Sequence, residues 1–419
     1  MIEKIKSNLE NPDQLEQLYG EDKKAFSKAF ELIYPEIANT GMAKFWKARL
    51  DYAGKPEILR TVTLAEILVV AGIGLVVAFL IKLPVIFNTG YNNDIFYMKN
   101  AAIIVFFGLT LYRMVMDRIN DKRSLIMTLL FFVIPLVYIN LLPSGEPGDS
   151  LILAYIHLPF MMWFIYGIVF SGYNLYNLDR RIEFIRFNGD FVIVYALIAI
   201  AGGVLSAITM GLFESIGLRI EDFYGEYIIV SGAVAAPVVA TYLIEKFPAL
   251  VSRTASLIAL IFSPLVLITL VIFLVTIIIT GKDPFNDRDF LLIFNIMLLG
   301  VMGIITFSVS ESSLLKYRKF NSAILFSLSL VSIVVDLIAL SAIFYRLGEF
   351  GLTPNRLAVL VSNILVLINL VLIMKDLFGI NFRNREFRIV EITTSKYLPV
   401  YMLWAMIVIF LFPMIFGMK

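Results

Sequence analysis

Hydrophobic and polar positions divide the chain into two regimes. From about residue 62 onward, eleven apolar runs lie near 62–87, 94–116, 124–142, 150–173, 190–213, 226–247, 255–280, 289–309, 321–345, 356–374 and 398–416. Runs of about 20 residues match the thickness of a bilayer's hydrocarbon core and predict membrane-spanning helices. Residues 1–60 instead mix charged and apolar positions at helical spacing. Asn11-Pro12 predicts a capped helix to about Tyr19, and a second runs from Glu21 to Ile33 with Phe26, Phe30 and Ile33 on one side. Pro35 is expected to break that helix, and a third carries Phe45, Trp46 and Leu50 to about Tyr52. The expected fold is all-α: a polytopic integral membrane helical bundle of about 11 transmembrane helices behind a small N-terminal cytosolic helical segment.

The most patterned stretch is Ser322 to Asn369. Ser322, Ser329, Ser332 and Asp336 stand seven, three and four residues apart, so they share one helix face. Asn355, Ser362 and Asn369 repeat at intervals of seven on the next run. Two such stripes on consecutive antiparallel helices are expected to satisfy each other across one interface. Between them, Thr353 is a favoured N-cap and Pro354 suits a first helical turn, so span ten should open there, with the chain turning at Gly348 and Gly351.

Composition agrees with the pattern. Apolar residues make up 59% of the chain and charged residues 16%, outside the range of ordinary soluble domains. With the N-terminus inside, the inner segments hold 27 of the 35 Lys and Arg residues, which puts the C-terminus outside. The charged N-terminus leads to the expectation of no cleavable signal peptide. There are no cysteines and one histidine, His157, which excludes thiolate metal sites, cysteine nucleophiles and bis-histidine haem within the chain. No cofactor or metal is expected. No Gly-rich phosphate loop follows a strand pattern, and nucleic acid is not an expected partner.

The run Glu349-Phe350-Gly351-Leu352-Thr353-Pro354-Asn355-Arg356, with Asp336 before it, Asn363 and Asn369 after it and Tyr397-Leu398-Pro399-Val400-Tyr401 near the end, carries a resemblance. It resembles the signature of a family of uncharacterised bacterial polytopic membrane proteins, a domain of unknown function. The similarity runs from about the first span to the C-terminus and leaves out residues 1–60. It implies a multi-pass protein of the bacterial inner membrane, and no activity, substrate or catalytic residue.

Ionisable and polar groups within the spans are the candidate chemistry. Asp336 lies near mid-span, where an ionised carboxylate costs several kcal/mol. It is a cation or proton site, or it is paired structurally. Arg346 is about 15 Å further along a regular helix, so Lys82 or Lys99 is an equally good partner. Lys82 and Lys99 also read as cations that snorkel to the outer headgroups. His157, among aromatics, reads more readily as a hydrogen-bonded core residue than as a proton carrier. Glu66 and Glu311 are expected to reach inner cations, and Asn295, Asn363 and Asn369 to make interhelical hydrogen bonds. By depth, Lys82, Lys99, His157, Asp336, Arg346, Glu349 and Arg356 all fall in the outer half. With Asn355, Asn363 and Asn369 they are the ligand-binding candidates for a polar recess open to the outside.

Three functions compete. The first is a transporter-like or solute-sensing protein using that recess. The second is a non-catalytic scaffold or subunit, with residues 1–60 and the 375–397 loop docking a cytosolic partner or the lipid surface. The third is an enzyme acting on a lipid-linked substrate through Asp336, His157 or Glu349.

Overall fold

In the computed structural model the described residues are 1–9, 11–21, 23–54, 63–87, 93–143, 145, 147–215, 218–280, 288–312 and 318–418. They are overwhelmingly helical, with no strand among them. The chain divides into two compact units, Met1–Thr63 and Leu64–Lys419.

The first unit holds α1 (Ile2–Ser7), α2 (Pro12–Glu21), α3 (Lys23–Ile37) and α4 (Gly41–Gly54). Asn11 accepts from the Gln14 N–H and so caps α2 as its sequence requires. Phe26, Phe30 and Trp46 are buried together with Ile5 and Leu15, which draws α1 onto the same core. Pro35 does not break α3. It lies in the last turn on an exposed face, so the Glu31 carbonyl that its missing N–H leaves free meets water.

The second unit comprises α5 (Leu64–Ile81), α6 (Leu83–Ile86), α7 (Asn93–Met116), α8 (Lys122–Leu141), α9 (Asp149–Phe170) and α10 (Leu178–Ser215). α11 (Glu221–Phe223) passes through a π-helical segment, Tyr224–Ile229, into α12 (Val230–Lys246). Then follow α13 (Pro248–Thr280), α14 (Arg288–Ser312), α15 (Arg318–Phe350), α16 (Pro354–Arg383), α17 (Arg388–Phe410) and α18 (Phe412–Ile415). Among the described residues ten helices are long and apolar enough to cross a membrane, and α14 adds a shorter apolar stretch, Phe294–Ser310. This is an all-α polytopic bundle.

Side chains near the helix ends sort those ends onto two faces. On one, Lys246 meets Glu66 at 2.7 Å, Arg113 meets Glu245 at 2.6 Å, Arg186 meets Glu391 at 2.8 Å and Arg388 meets Asp179 at 2.6 Å. These join the start of α5 and the end of α7 to the end of α12, and the start of α10 to the start of α17. On the other face Lys82 reaches Glu226, Asn100 pairs with Asn140, and the Tyr138 hydroxyl donates to the Phe410 carbonyl. Consecutive long helices therefore alternate in direction.

The α15–α16 hairpin is the most extensively packed helix pair. Its turn is tighter than the sequence suggests. Gly348 stays inside α15, which runs to Phe350, and only Gly351 takes a positive φ, +70°. Thr353 caps α16 by accepting from the Arg356 N–H, with Pro354 in the first turn. The stretch expected as a 375–397 loop is largely helix, because α16 continues to Arg383 before Asn384 turns the chain with φ +50°.

Candidate functional site

The residues grouped by depth do not form one recess. Lys82 is buried and fully engaged: its Nζ donates to Glu226 Oε1 at 2.6 Å and to the Tyr97 hydroxyl at 2.9 Å, and Tyr97 donates to the same oxygen. The ammonium also lies 5.3 Å from the Tyr97 ring and 5.6 Å from that of Tyr227. Glu226 belongs to the π-helical segment, whose extra residue per turn swings side chains away from the regular α-helical register. Lys99, wholly buried, donates to the Leu142 carbonyl at 2.7 Å. Neither lysine pairs with Asp336, and neither snorkels to an exposed position.

At the hairpin turn Arg356 donates to the Phe350 and Gly351 carbonyls, both at 2.7 Å. It satisfies the C-terminal end of α15, where a cation also suits the helix dipole. Arg346 and Arg356 both lie over the Phe350 ring. Glu349 is exposed there, with Asn355 half-buried nearby in sequence.

The two polar stripes do not satisfy each other. Ser329 and Ser332 donate back to Leu325 and Leu328 in their own helix. Ser362 accepts from Trp404 of α17, Asn369 donates to Tyr401 of α17, and Asn363 donates to Asn295 of α14. The first stripe is buried, and Asp336 is fully enclosed with no hydrogen-bond partner for either carboxylate oxygen among the described residues.

What the helices enclose is a cavity of about 590 Å³ between α9, α10, α13, α14, α16 and α17. Its wall is mostly apolar. Polar atoms are few: His157, Asn188, Thr306, Ser308, Ser362 and Tyr401, with the indoles of Trp163 and Trp404. Most are already held. Trp163 donates to Asn188 at 2.7 Å, Trp404 to Ser362 at 2.9 Å, Ser308 bonds Ser263 at 2.7 Å, and His157 Nδ1 contacts the Leu153 carbonyl at 2.8 Å. No Asp, Glu, Lys or Arg is among the lining residues.

Glycines shape the space. A Cβ added at Gly300 or Gly303 would meet nothing within 4 Å, whereas one at Gly189 would stand 1.9 Å from the Phe307 ring, which is seated on that glycine. Phe160, Val192, Phe262 and Leu299, all lining residues, are also largely exposed. These are mid-helix apolar side chains on membrane spans, so the cavity opens sideways, toward hydrocarbon.

Of the ligand-binding candidates named from the sequence, His157 lines this cavity and Asn369 touches its wall through Tyr401; Ser362 of the second polar stripe lines it as well. Trp163, Asn188 and Trp404 were not site candidates from the sequence, and Tyr401 entered only within the run 397–401, because an aromatic or amide in an apolar run reads as packing. The Gly300-Val301-Met302-Gly303 spacing, two side-chain-free positions one turn apart, was the available signal. No protein-family model matches the chain, and no curated protein or solved structure matches it either.

Proposed function

We propose that the membrane unit binds an amphipathic, lipid-like molecule that reaches it laterally from the bilayer, and that it is a transporter-like or solute-sensing protein for that class of compound. The observation that carries this reading is the apolar, side-opening cavity. Its volume lies within the roughly 300–1,000 Å³ range of small-molecule sites, which are lined mainly by apolar and aromatic side chains with a few fixed polar groups. A charged polar solute finds no complementary ion on this wall. An alkyl chain finds Phe160, Val192 and Phe307, and a polar end finds Tyr401, Ser362 and His157.

Acid–base catalysis is disfavoured by the same wall, since His157 and Tyr401 are its titratable side chains and the His157 Nδ1 is engaged by its own helix. The resemblance to uncharacterised bacterial multi-pass proteins is compatible with this reading and adds no activity to it. We place the protein in a bacterial inner membrane on that resemblance.

Tryptophan supplies the test. The chain has three, and two of them, Trp163 and Trp404, line the cavity. In a Trp46→Phe background, a long-chain alcohol carrying bromine near its tail should quench the remaining emission saturably. Gly303→Phe, which fills open space, should keep the fold and lose the saturable part. Equal quenching of both proteins would contradict the proposal.

A further inference from the structure

We propose that Asp336 is a proton-binding site linked to the occupant of the cavity, with Asn369 and Tyr401 joining the two; the linkage rests on the function proposed above. Asp336 is completely buried on the packed face of α15, and neither of its oxygens has a hydrogen-bond partner among the described residues. A carboxylate can only accept hydrogen bonds, whereas a carboxylic acid also donates one. The acceptors at its depth on α15 and α16 are matched to the acid. One turn before it, Ser332 has spent its proton on the Leu328 carbonyl and has only lone pairs to offer. Asn369 is buried, and its Oδ1 is an acceptor without a partner among the described residues.

Hairpin register brings Asn369 to this depth. α15 ends at Phe350 and α16 starts at Pro354, so Asp336 stands sixteen residues before Leu352 and Asn369 seventeen after it. The Asn369 amide donates to the Tyr401 hydroxyl at 3.0 Å, and Tyr401 lines the cavity.

Among the described residues no cation pairs with the carboxyl. α15 packs against α13, α14 and α16. Residues 261–279 of α13 and 291–310 of α14 include no Asp, Glu, Lys, Arg or His. On α16, Arg356 is bound at the hairpin turn, and Lys375 and Asp376 lie about 9–10 Å further along the axis than Asn369. Asp376 accepts from Thr393. On α15 itself Arg346 and Glu349 are about 15 Å and 20 Å away along the axis. From α17 the facing titratable groups are Tyr401 and Tyr397, the latter donating to the Leu365 carbonyl.

An ionised carboxylate here would therefore need a new donor, because a buried charge without one is strongly penalised. In the proposed linkage that donor is the Tyr401 O–H, which accepts from Asn369 and keeps its own proton to give. When the acid releases H⁺, the resulting carboxylate draws that hydroxyl toward α15, and one polar group leaves the cavity wall. An occupant that bonds Tyr401 opposes this movement and favours the protonated form. Proton and occupant thereby become thermodynamically linked.

Infrared spectroscopy of the protein in lipid nanodiscs reads the carboxyl directly. At neutral pH the parent is expected to have a C=O stretching band of a protonated carboxylic acid that Asp336→Asn lacks, with the variant keeping the parent's Tm because Asn imitates the neutral acid. Absence of the band, or its persistence in Asp336→Asn, would overturn the proton site. The brominated long-chain alcohol should shift the band, and Tyr401→Phe should abolish the shift while Trp163 is still quenched. Quenching with an unmoved band overturns the linkage alone. No saturable quenching at any pH overturns the cavity reading and the linkage together, and the band still decides the proton site.

Discussion

Lys82 and Glu226 illustrate how much depends on single side chains in this fold. The lysine side chain is 4% exposed and the glutamate 35%, so the two partners do not stand to lose equally. Glu226→Ala strands a buried ammonium whose remaining hydrogen-bond partner is Tyr97, and should cost about 3 kcal/mol, in the range for breaking a buried pair. Lys82→Met leaves a carboxylate that water can reach, and should cost clearly less. Thermal unfolding of the two variants and of the double variant checks this; equal losses, or additive ones, would contradict the pairing. At this scale the sequence was legible in depth and not in lateral position. Lys82, Lys99 and His157 could be placed along the bilayer normal from their runs. Glu226, 144 residues from Lys82, could be assigned as its partner only by the fold.

At the scale of elements, the α15–α16 hairpin and the α10–α14 contact decide the site. Thr353→Ala removes the cap on α16 and should lower stability by about 1 kcal/mol, with Thr353→Ser restoring most of it. Gly189→Ala forces Phe307 off its seat and should cost roughly 1–3 kcal/mol, as overpacking does, while altering the cavity wall. A Gly189→Ala protein with the parent's Tm and unchanged tail-bromine quenching would contradict that packing. The helices themselves were readable from apolar length, and the start of α16 from Thr353-Pro354. Their far ends were not. Gly348 is tolerated inside α15 and Pro35 inside the last turn of α3, since a breaker near a helix end removes little bonding. The two polar stripes were real as periodicities, but periodicity gives a face and not its partner. Ser362 and Asn369 turned to α17, where Trp404 and Tyr401 wait.

For the membrane unit, polar contacts at the helix ends put the starts of α5, α10 and α17 and the ends of α7 and α12 on one face. By the positive-inside rule, the Lys and Arg distribution leads us to propose that this face is the cytoplasmic one. A reporter fused after Asp121 is expected to be active only inside, and one fused after Gly148 or Gly351 only outside. Inverted results would contradict the orientation. The architecture was legible because bilayer thickness writes itself into run length. The cavity was not, since it arises where Gly189, Gly300 and Gly303 leave room among helices far apart in sequence. The central claim is that this room is occupied by a lipid-like molecule. A density map of the protein in nanodiscs tests it most directly. The account predicts elongated density that enters between Val192 and Leu299 and ends against Tyr401 and Trp404. A cavity closed by rotated Phe307 and Trp163 side chains, with no density inside, would contradict it.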